Sequence, residues 1–207
     1  MNSRVILTIG RQFGSGGREI GKALASSLDI PYYDKDLIAL AAKKSGMSPE
    51  IFEQFDEKRT KSLLYSLAIG SYMFGSRVST ISDMPMNDKL FTVQVNIIKE
   101  LAKQGSCVLI GRCADFILRD DPDLISLFIH APLEYRKKRI HALYNVPQDK
   151  IEGMLAKADK SRANYYNYYT ERKWGSAQNY DLSIDSSLLS LEDTVKFLKE
   201  YIELKKG

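Results

Sequence analysis

A glycine-rich segment near the start of the chain carries the clearest chemical signal. It runs from Ile9 to Gly21 with the sequence IGRQFGSGGREIG, after an apolar run that predicts a strand and before a pattern that predicts a helix. Glycines let backbone amides turn inward, and the start of a helix adds its positive dipole, so such a turn can bind phosphate oxygens. The alternative is a tight turn whose glycines only permit close packing. The context of strand, loop and helix favours a phosphate site.

This segment departs from the standard Walker A loop, which has glycine, four residues, glycine, lysine and then serine or threonine. The lysine of that loop bridges the terminal phosphates, and the hydroxyl binds Mg²⁺. With Gly16 on the second glycine, Gly17 falls on the lysine and Arg11 on the first glycine. Arg11 and Arg18 are the candidate replacements for the missing cation, because a guanidinium can hold phosphate through two hydrogen bonds. The predicted phosphate-binding residues are Arg11, Gly14, Ser15, Gly16, Gly17 and Arg18.

The elements that must position this loop follow an alternating pattern. Four short runs rich in β-branched and apolar residues predict buried strands. They are Val5–Ile9, Cys107–Ile110, Ile125–Ile129 and Tyr180–Ile184, with a weaker fifth candidate at Ile30–Tyr33. Helical patterns lie between them, at Arg18–Leu28, Leu90–Gln104, Leu133–Leu143 and Leu191–Leu204. Strands that alternate with helices indicate right-handed connections around a parallel sheet, so the predicted fold class is α/β.

Two segments interrupt this alternation. From about residue 55 to 88 the chain is helical in parts but is broken by Gly70, Gly75 and Pro85, which predicts an inserted helical subdomain or flap on the acceptor side. From about 145 to 175 the pattern predicts a long polar, tyrosine-rich helix that could act as a lid. We expect one main domain over residues 1–207 to carry both segments.

Composition narrows the class of partner. The chain has 207 residues, with 30 Lys and Arg against 26 Asp and Glu and a formal net charge of +4. This balance is well short of a dedicated nucleic-acid binder and fits a small anionic molecule better. Cys107 and Cys113 have no Cys or His neighbours at metal-ligand spacing, so a reducing cytoplasm is expected. No run is long and apolar enough to predict a signal sequence or a membrane span.

Three segments together resemble the cytidylate kinase-like family over nearly the whole chain. They are Gly10–Gly21, Ile30–Ile38 with the sequence IPYYDKDLI, and Val108–Asp115 with the sequence VLIGRCAD. The resemblance implies a three-layer P-loop kinase fold with a five-stranded parallel sheet, a helical insertion and a helical lid. It also implies transfer of a phosphoryl group from ATP, or another nucleoside triphosphate, to a nucleoside monophosphate such as cytidylate, with Mg²⁺.

The same resemblance assigns acceptor-side residues. Asp34 falls where cytidylate kinases carry an acidic residue near the acceptor, so it is a candidate acceptor-side or Mg²⁺-linked carboxylate, with an N-cap role as the alternative. Lys35 either contacts the acceptor phosphate or is exposed. Arg112, with the glycine before it, is similar to the arginine that contacts the acceptor, and it ends a strand at the edge where α/β sheets bind ligands. Cys113 replaces the acid of that motif, although Asp115 lies two residues on and is a further predicted contact of the acceptor.

Phosphoryl transfer needs positive charge around the transferring group, so arginines from a closing lid are expected. Arg162 lies in a stretch similar in position to the lid arginines of related kinases. The predicted catalytic residues are Arg18, Arg162 and Arg139, with Arg136 and Arg172 ranked after them. The tyrosines of Tyr165–Tyr169 are expected to pack on the core, with base stacking or a homodimer contact as alternatives.

Two other functions stay open at this point. Cys113 breaks the cytidylate pattern, so an enzyme of the same fold could phosphorylate the hydroxyl of a small metabolite. The missing Walker lysine also allows a regulatory module that binds nucleotide without catalysis, because that lysine normally carries much of the charge that holds phosphate.

Overall fold

The computed structural model describes residues 4–34 and 86–206. Its strands are β1 (Ile6–Arg11), β2 (Tyr32–Tyr33), β3 (Cys107–Ile110), β4 (Leu124–His130) and β5 (Leu182–Asp185). They form one sheet in the order β2-β3-β1-β4-β5, and every neighbouring pair is parallel. The predicted five-stranded parallel α/β fold is confirmed, and its weakest strand is the short β2.

Six α-helices accompany the sheet in the described residues. They are α1 (Gly17–Leu28), α2 (Met86–Lys103), α3 (Ala114–Ile117), α4 (Leu133–Tyr144), α5 (Gln148–Thr170) and α6 (Leu191–Lys206), and a short 3-10 helix spans Ala177–Asn179. Only the one-turn α3 lacks a counterpart among the predicted helices, since four residues are too few to show a helical period.

Side chains of the central strand alternate between the two faces of the sheet, as the strand period of two requires. Leu7 and Ile9 pack in the cluster that holds α1 and α6, whereas Ile6 packs in the cluster that holds α2 and α3. All three side chains are fully buried. Helices therefore cover both faces, which gives the three-layer arrangement.

The two inserted segments are described to different extents. The predicted insertion at about 55–88 lies outside the described residues except for its last three, which begin α2. The predicted lid at about 145–175 is a single continuous helix over most of its length, α5. It begins after Pro147 and ends at Thr170, and the C-cap Glu171 has a left-handed backbone with φ of 56°. Among the helices described, none combines the length and the apolar character needed to cross a membrane.

Candidate active site

The loop between β1 and α1 presents backbone amides at the start of a helix. Gly14 and Gly16 adopt left-handed conformations with φ of 81° and 80°, which glycine tolerates without strain. The Ser15 hydroxyl donates to the carbonyl of Gln12 at 2.9 Å, which holds the turn. Within the described residues, the amides of Gly16 and Gly17 donate no hydrogen bond to another group. These amides stand at the positive end of α1, where a phosphate oxygen is favoured.

Arg11, the last residue of β1, directs its side chain across the start of α1 towards the end of β3. Its stem passes Gly17, where a β-carbon would lie 2.7 Å from the β-carbon of Arg11. Its guanidinium ends beside Gly111, where a β-carbon would lie 2.1 Å from Nη1 of Arg11. Both glycines therefore leave space that the arginine side chain uses.

Two further arginines approach Arg11 from β3 and α5. Arg162 donates from Nη1 to the backbone carbonyl of Arg11 at 3.0 Å, and its guanidinium lies 5.4 Å from the ring centroid of Phe13. Burial lowers the pKa of Arg11, and the positive charges of Arg162 and Arg112 lower it further. Within the described part of the chain, none of these three guanidinium groups lies within 4 Å of a carboxylate. The structure therefore gathers the predicted Arg11, Arg112 and Arg162 into one cluster that has no ion pair in the described residues, and the charge of Asp159 acts on Arg162 only from beyond ion-pair distance.

The turn after β3 that carries Arg112 has an unusual backbone. Gly111, Arg112 and Cys113 have φ of 66°, 59° and 57°, and left-handed conformations are uncommon for residues other than glycine. Gln94 of α2 supports the turn, since its Nε2 donates to the Arg112 carbonyl at 3.1 Å and to the Tyr165 hydroxyl at 2.9 Å. The guanidinium of Arg112 in turn lies 5.8 Å from the Tyr165 ring centroid.

Arg18 and Asp34 form an ion pair that joins the loop to the end of β2. The Nη2 of Arg18 donates to Oδ2 of Asp34. The Asp34 side chain is only 6% exposed, whereas that of Arg18 is 63% exposed. Both predicted residues therefore meet at the carboxyl edge of the sheet. Lys35, the neighbouring predicted acceptor contact, lies outside the described residues.

The cations of α4 hold the loop in place. Arg139 donates from Nε to the Gly14 carbonyl at 3.2 Å and from Nη2 to Glu19 at 2.8 Å. Arg136 donates from Nη1 to the Phe13 carbonyl at 3.2 Å and to Asp159 at 2.6 Å. Both arginines are thus neutralised by carboxylates, and their contacts fix the loop. The catalytic role expected of Arg139 stays a prediction.

Asp159 of α5 is a residue that the sequence interpretation missed. Its Oδ1 accepts a hydrogen bond from the Phe13 amide at 2.7 Å, while its Oδ2 binds Arg136. The Phe13 side chain packs beside Ile140 of α4 and Leu155 of α5. Asp159 lies three residues before Arg162, so both are on one helical face. That three-residue spacing was the signal in the sequence that Asp159 belongs with Arg162. The spacing does not show which element this face of α5 packs against.

Asp115, predicted to contact the acceptor, lies in the interior. It is 8% exposed, and its Oδ2 accepts a hydrogen bond from the Tyr166 hydroxyl at 2.7 Å. Burial raises the pKa of Asp115. Burial likewise raises the pKa of the Cys113 thiol. The carboxylate of Asp115 is engaged within the protein, so we leave it out of the proposed site.

The described residues suit phosphate groups better than a protein-bound magnesium ion. Mg²⁺ prefers oxygen ligands, usually one or two carboxylates with substrate phosphates. The carboxylates nearest the loop, Asp34, Glu19 and Asp159, each bind an arginine. Arg18 stands where the standard loop has its hydroxyl. Residues 4–34 and 86–206 contain no group of three or more His, Cys, Asp or Glu that could hold a metal ion.

Comparisons with known proteins bear on the family and the fold. The cytidylate kinase from Methanocaldococcus jannaschii is 26% identical over 207 residues, covering 98% of this chain and 100% of that protein. A crystal structure of a protein from Eubacterium ventriosum superposes with a TM-score of 0.73 at 28% identity, over 97% of this chain and 99% of the other. Shikimate kinase from Bacteroides thetaiotaomicron shares the fold, with a TM-score of 0.55 at 16% identity, 97% of this chain and 99% of the other. The cytidylate kinase-like family matches residues 6–188, and the chain belongs to that family.

Proposed function

We propose that this protein transfers a phosphoryl group from a nucleoside triphosphate, with ATP the first choice, to a nucleoside monophosphate. The observation that carries the proposal is the cluster of Arg11, Arg112 and Arg162 beside the glycine amides, with no carboxylate within 4 Å of these guanidinium groups among the described residues. Half-buried cations that face one another repel, and they lose solvation on burial. A chain of phosphates would supply the missing negative charge.

The donor half of the site is the loop and the helix that follows it. The amides of Gly16 and Gly17 stand at the start of the 12-residue α1, and amides in that position bind phosphate oxygens. Arg162 lies over the loop from α5 and contacts the Arg11 carbonyl. A cation in that place can stabilise the charge that develops on the transferring phosphoryl group. Arg136 and Arg139 position the loop for this purpose.

The acceptor half lies at the ends of β2 and β3. Arg112 is the cation available to an acceptor phosphate, and the ion pair of Arg18 with Asp34 ties this half to the donor loop. Lys35 remains a predicted acceptor contact. An acceptor phosphate oxygen would attack the γ-phosphorus, and the bond from the γ-phosphorus to the bridging oxygen would break, leaving two diphosphates. No covalent intermediate with the protein is required.

The relatives and the residues of this site point to different acceptors. The cytidylate kinase of Methanocaldococcus jannaschii makes cytidylate the first acceptor to test. A second candidate, a hydroxyl of a small metabolite, is favoured by one observation. The acid that follows the arginine in cytidylate kinases is replaced here by the buried Cys113, and Asp115 is turned towards Tyr166.

A transfer assay separates these candidates. The protein is incubated with γ-labelled ATP and, separately, with CMP, dCMP, UMP, AMP, GMP, shikimate and gluconate. We expect label on a pyrimidine monophosphate, and we expect Arg162→Ala to lower the rate about 100-fold or more, the usual effect of removing one donor to a transition-state charge. Arg119→Ala, which removes an exposed arginine stacked on Phe116, is the matched control and should leave the rate unchanged.

Each outcome of the assay has a defined meaning. Label on a hydroxyl compound alone would replace the monophosphate proposal with a metabolite kinase. Tight ATP binding with no transfer across the panel would identify a regulatory module. Failure to bind ATP at all would overturn the phosphotransferase proposal.

A further inference from the structure

We infer that Arg11 takes the place of the Walker lysine, and that Gly17 is glycine because the Arg11 side chain occupies the space that a lysine there would need. The inference deepens the proposed function and rests on it, because it names the residue that binds the terminal phosphates. Relative to the standard loop, the two positions have exchanged their residue types. The standard loop has glycine where this chain has Arg11, and lysine where this chain has Gly17.

Steric contact makes the two side chains mutually exclusive. A β-carbon at Gly17 would lie 2.7 Å from Cβ and 3.2 Å from Cγ of Arg11, well inside the separation of about 3.5 to 4.0 Å at which carbon atoms attract. The β-carbon of Arg11 is fixed by the backbone of β1, so rotation of the side chain cannot relieve the contact. A lysine at position 17 would push the end of β1 away from the start of α1.

With glycine at position 11, most of this conflict disappears. The remaining close neighbour of a β-carbon at position 17 is Cβ of Ile129, at 3.2 Å. That contact is tight, but a shift of a few tenths of an ångström would relieve it. Glycine at the first position and lysine at the later one is the combination of the standard loop, and the geometry around Gly17 explains why the two would occur together.

The Arg11 guanidinium also ends where a phosphate-binding cation is needed. A β-carbon at Gly111 would lie 2.1 Å from its Nη1, so the charge sits over the end of β3, beside Arg112. This is the boundary between the donor loop and the acceptor side. Because Arg11 starts from the strand and a Walker lysine starts from the helix, the two residues would reach the phosphates along different paths.

Charge balance supports a ligand in this place. In the part of the chain that is described, the Arg11 guanidinium makes neither a hydrogen bond nor an ion pair with another residue, and its neighbours Arg162, Arg112 and Arg18 are all cations. A residue retained only to fill space would be expected to bury an apolar side chain or a paired one. A bound anion would compensate the charges of Arg11, Arg112 and Arg162 together, whereas Arg18 is already paired with Asp34.

Reciprocal exchange of the two residues tests the inference. The variants are Arg11→Gly, Gly17→Lys and the double variant, and the measurement is the affinity for ADP by calorimetry. We expect Arg11→Gly to weaken binding about 10- to 100-fold, the usual effect of losing a hydrogen-bonded charge. Gly17→Lys alone should weaken binding and lower the melting temperature. The double variant should bind within about fivefold of wild type, a positive coupling in the mutant cycle.

A further variant guards against loss of folding. Arg11→Met keeps most of the stem and removes the charge, so it should keep the wild-type melting temperature and still bind ADP about 10-fold or more weakly. Arg119→Met is the matched control on an exposed arginine and should bind as wild type does. Two results would overturn the inference that Arg11 replaces the lysine. One is wild-type affinity for ADP in Arg11→Met, and the other is a folded double variant that binds ADP no more tightly than Arg11→Gly does.

The two proposals fail in different ways. If wild type binds ADP and Arg11 does not contribute to that binding, the inference about Arg11 is wrong and the phosphotransferase proposal stands. If ADP binding depends on Arg11 but no acceptor is phosphorylated, the inference about Arg11 stands and the phosphotransferase proposal is wrong. If wild type binds no ADP, both are wrong.

Discussion

At the edge where the strands begin, Arg4 precedes β1 and its cation is fully compensated. Its guanidinium donates to Asp121 at 2.8 Å, to Asp123 at 3.0 Å and to the carbonyl of Ala102 at 3.0 Å. Nearby, Lys205 pairs with Asp181 at 2.6 Å. The Arg4 contacts tie the start of β1 to α2 and to the segment before β4, and the Lys205 pair ties α6 to the residue before β5. Both sets of contacts are structural.

At the edge where the strands end, Arg11, Arg112 and Arg162 face one another without an ion pair to a carboxylate in the described chain. The same sheet and the same residue type thus give two different electrostatic environments. The stability of the fold is enough to explain the cations at the first edge, because each of them gains hydrogen bonds and a neighbouring opposite charge. It does not explain the second, where burial and repulsion oppose the folded state. The proposed function accounts for the difference, because it places an anion at the second edge.

The largest expected effect comes from removing a cation at the uncompensated edge. Arg112→Ala should lower phosphoryl transfer about 100- to 1000-fold, because one charge next to the transferring group is lost. The free energy of unfolding of the free protein should change by less than about 1 kcal/mol, because no ion pair is broken. Steady-state kinetics and chemical denaturation measure the two quantities. A stability loss as large as the activity loss would mean that the arginine is structural.

Asp159→Asn tests a compensated pair at the same edge. The Arg136 and Asp159 side chains are 10% and 16% exposed, and breaking a largely buried pair strands a charge. We expect the free energy of unfolding to fall by about 2 to 3 kcal/mol, with a weaker hold on the Phe13 amide. Chemical denaturation provides the measurement, and Glu134→Gln, which affects only an exposed pair with Lys137, is the control. Equal stability of the two variants would contradict this assignment.

Arg4→Ala probes the opposite edge. It removes a half-buried cation with two carboxylate partners, so the free energy of unfolding should fall by about 1 to 2 kcal/mol. Phosphoryl transfer at temperatures well below the melting transition should be unaffected. A selective loss of transfer, with stability intact, would show that the two edges are not separate in function.

The smallest expected effect is stabilisation by a simple anion. Pyrophosphate at about five times its dissociation constant should stabilise the protein by about 1 kcal/mol, seen as a rise of about 2 to 4 °C in melting temperature. Sodium chloride of equal ionic strength is the control. In Arg112→Ala the rise should shrink. An equal rise in chloride, or in the variant, would count against a phosphate site at this edge.

The sequence predicted most of the fold because the fold depends on local patterns. The runs at Cys107–Ile110 and Leu133–Leu143 match β3 and α4 almost residue for residue. Just before α6, the Ser190 hydroxyl accepts from the Asp193 amide at 3.0 Å, which is the hydrogen bond of an N-cap. Strand and helix periods, and capping residues, are properties of neighbouring positions, so one sequence suffices to find them.

The sequence was less informative about the site, because the site depends on contacts between distant segments. Arg11 and Gly17 could be identified as departures from the Walker pattern, but only the folded chain shows that their side-chain volumes compete. Asp159 contacts Phe13 across 146 positions, which no spacing rule anticipates. Asp115 shows the opposite limit. Its position next to the arginine motif suggested a contact with the acceptor, whereas in the structure its carboxylate accepts a hydrogen bond from Tyr166.

The most direct test of the central claim is a crystal structure with a bisubstrate analogue that joins adenosine to cytidine through a chain of phosphates. The account predicts phosphate oxygens within hydrogen-bonding distance of the Gly16 and Gly17 amides and of the Arg11 and Arg112 guanidinium groups. Phosphates bound elsewhere, with the four groups still unoccupied by the ligand, would contradict it.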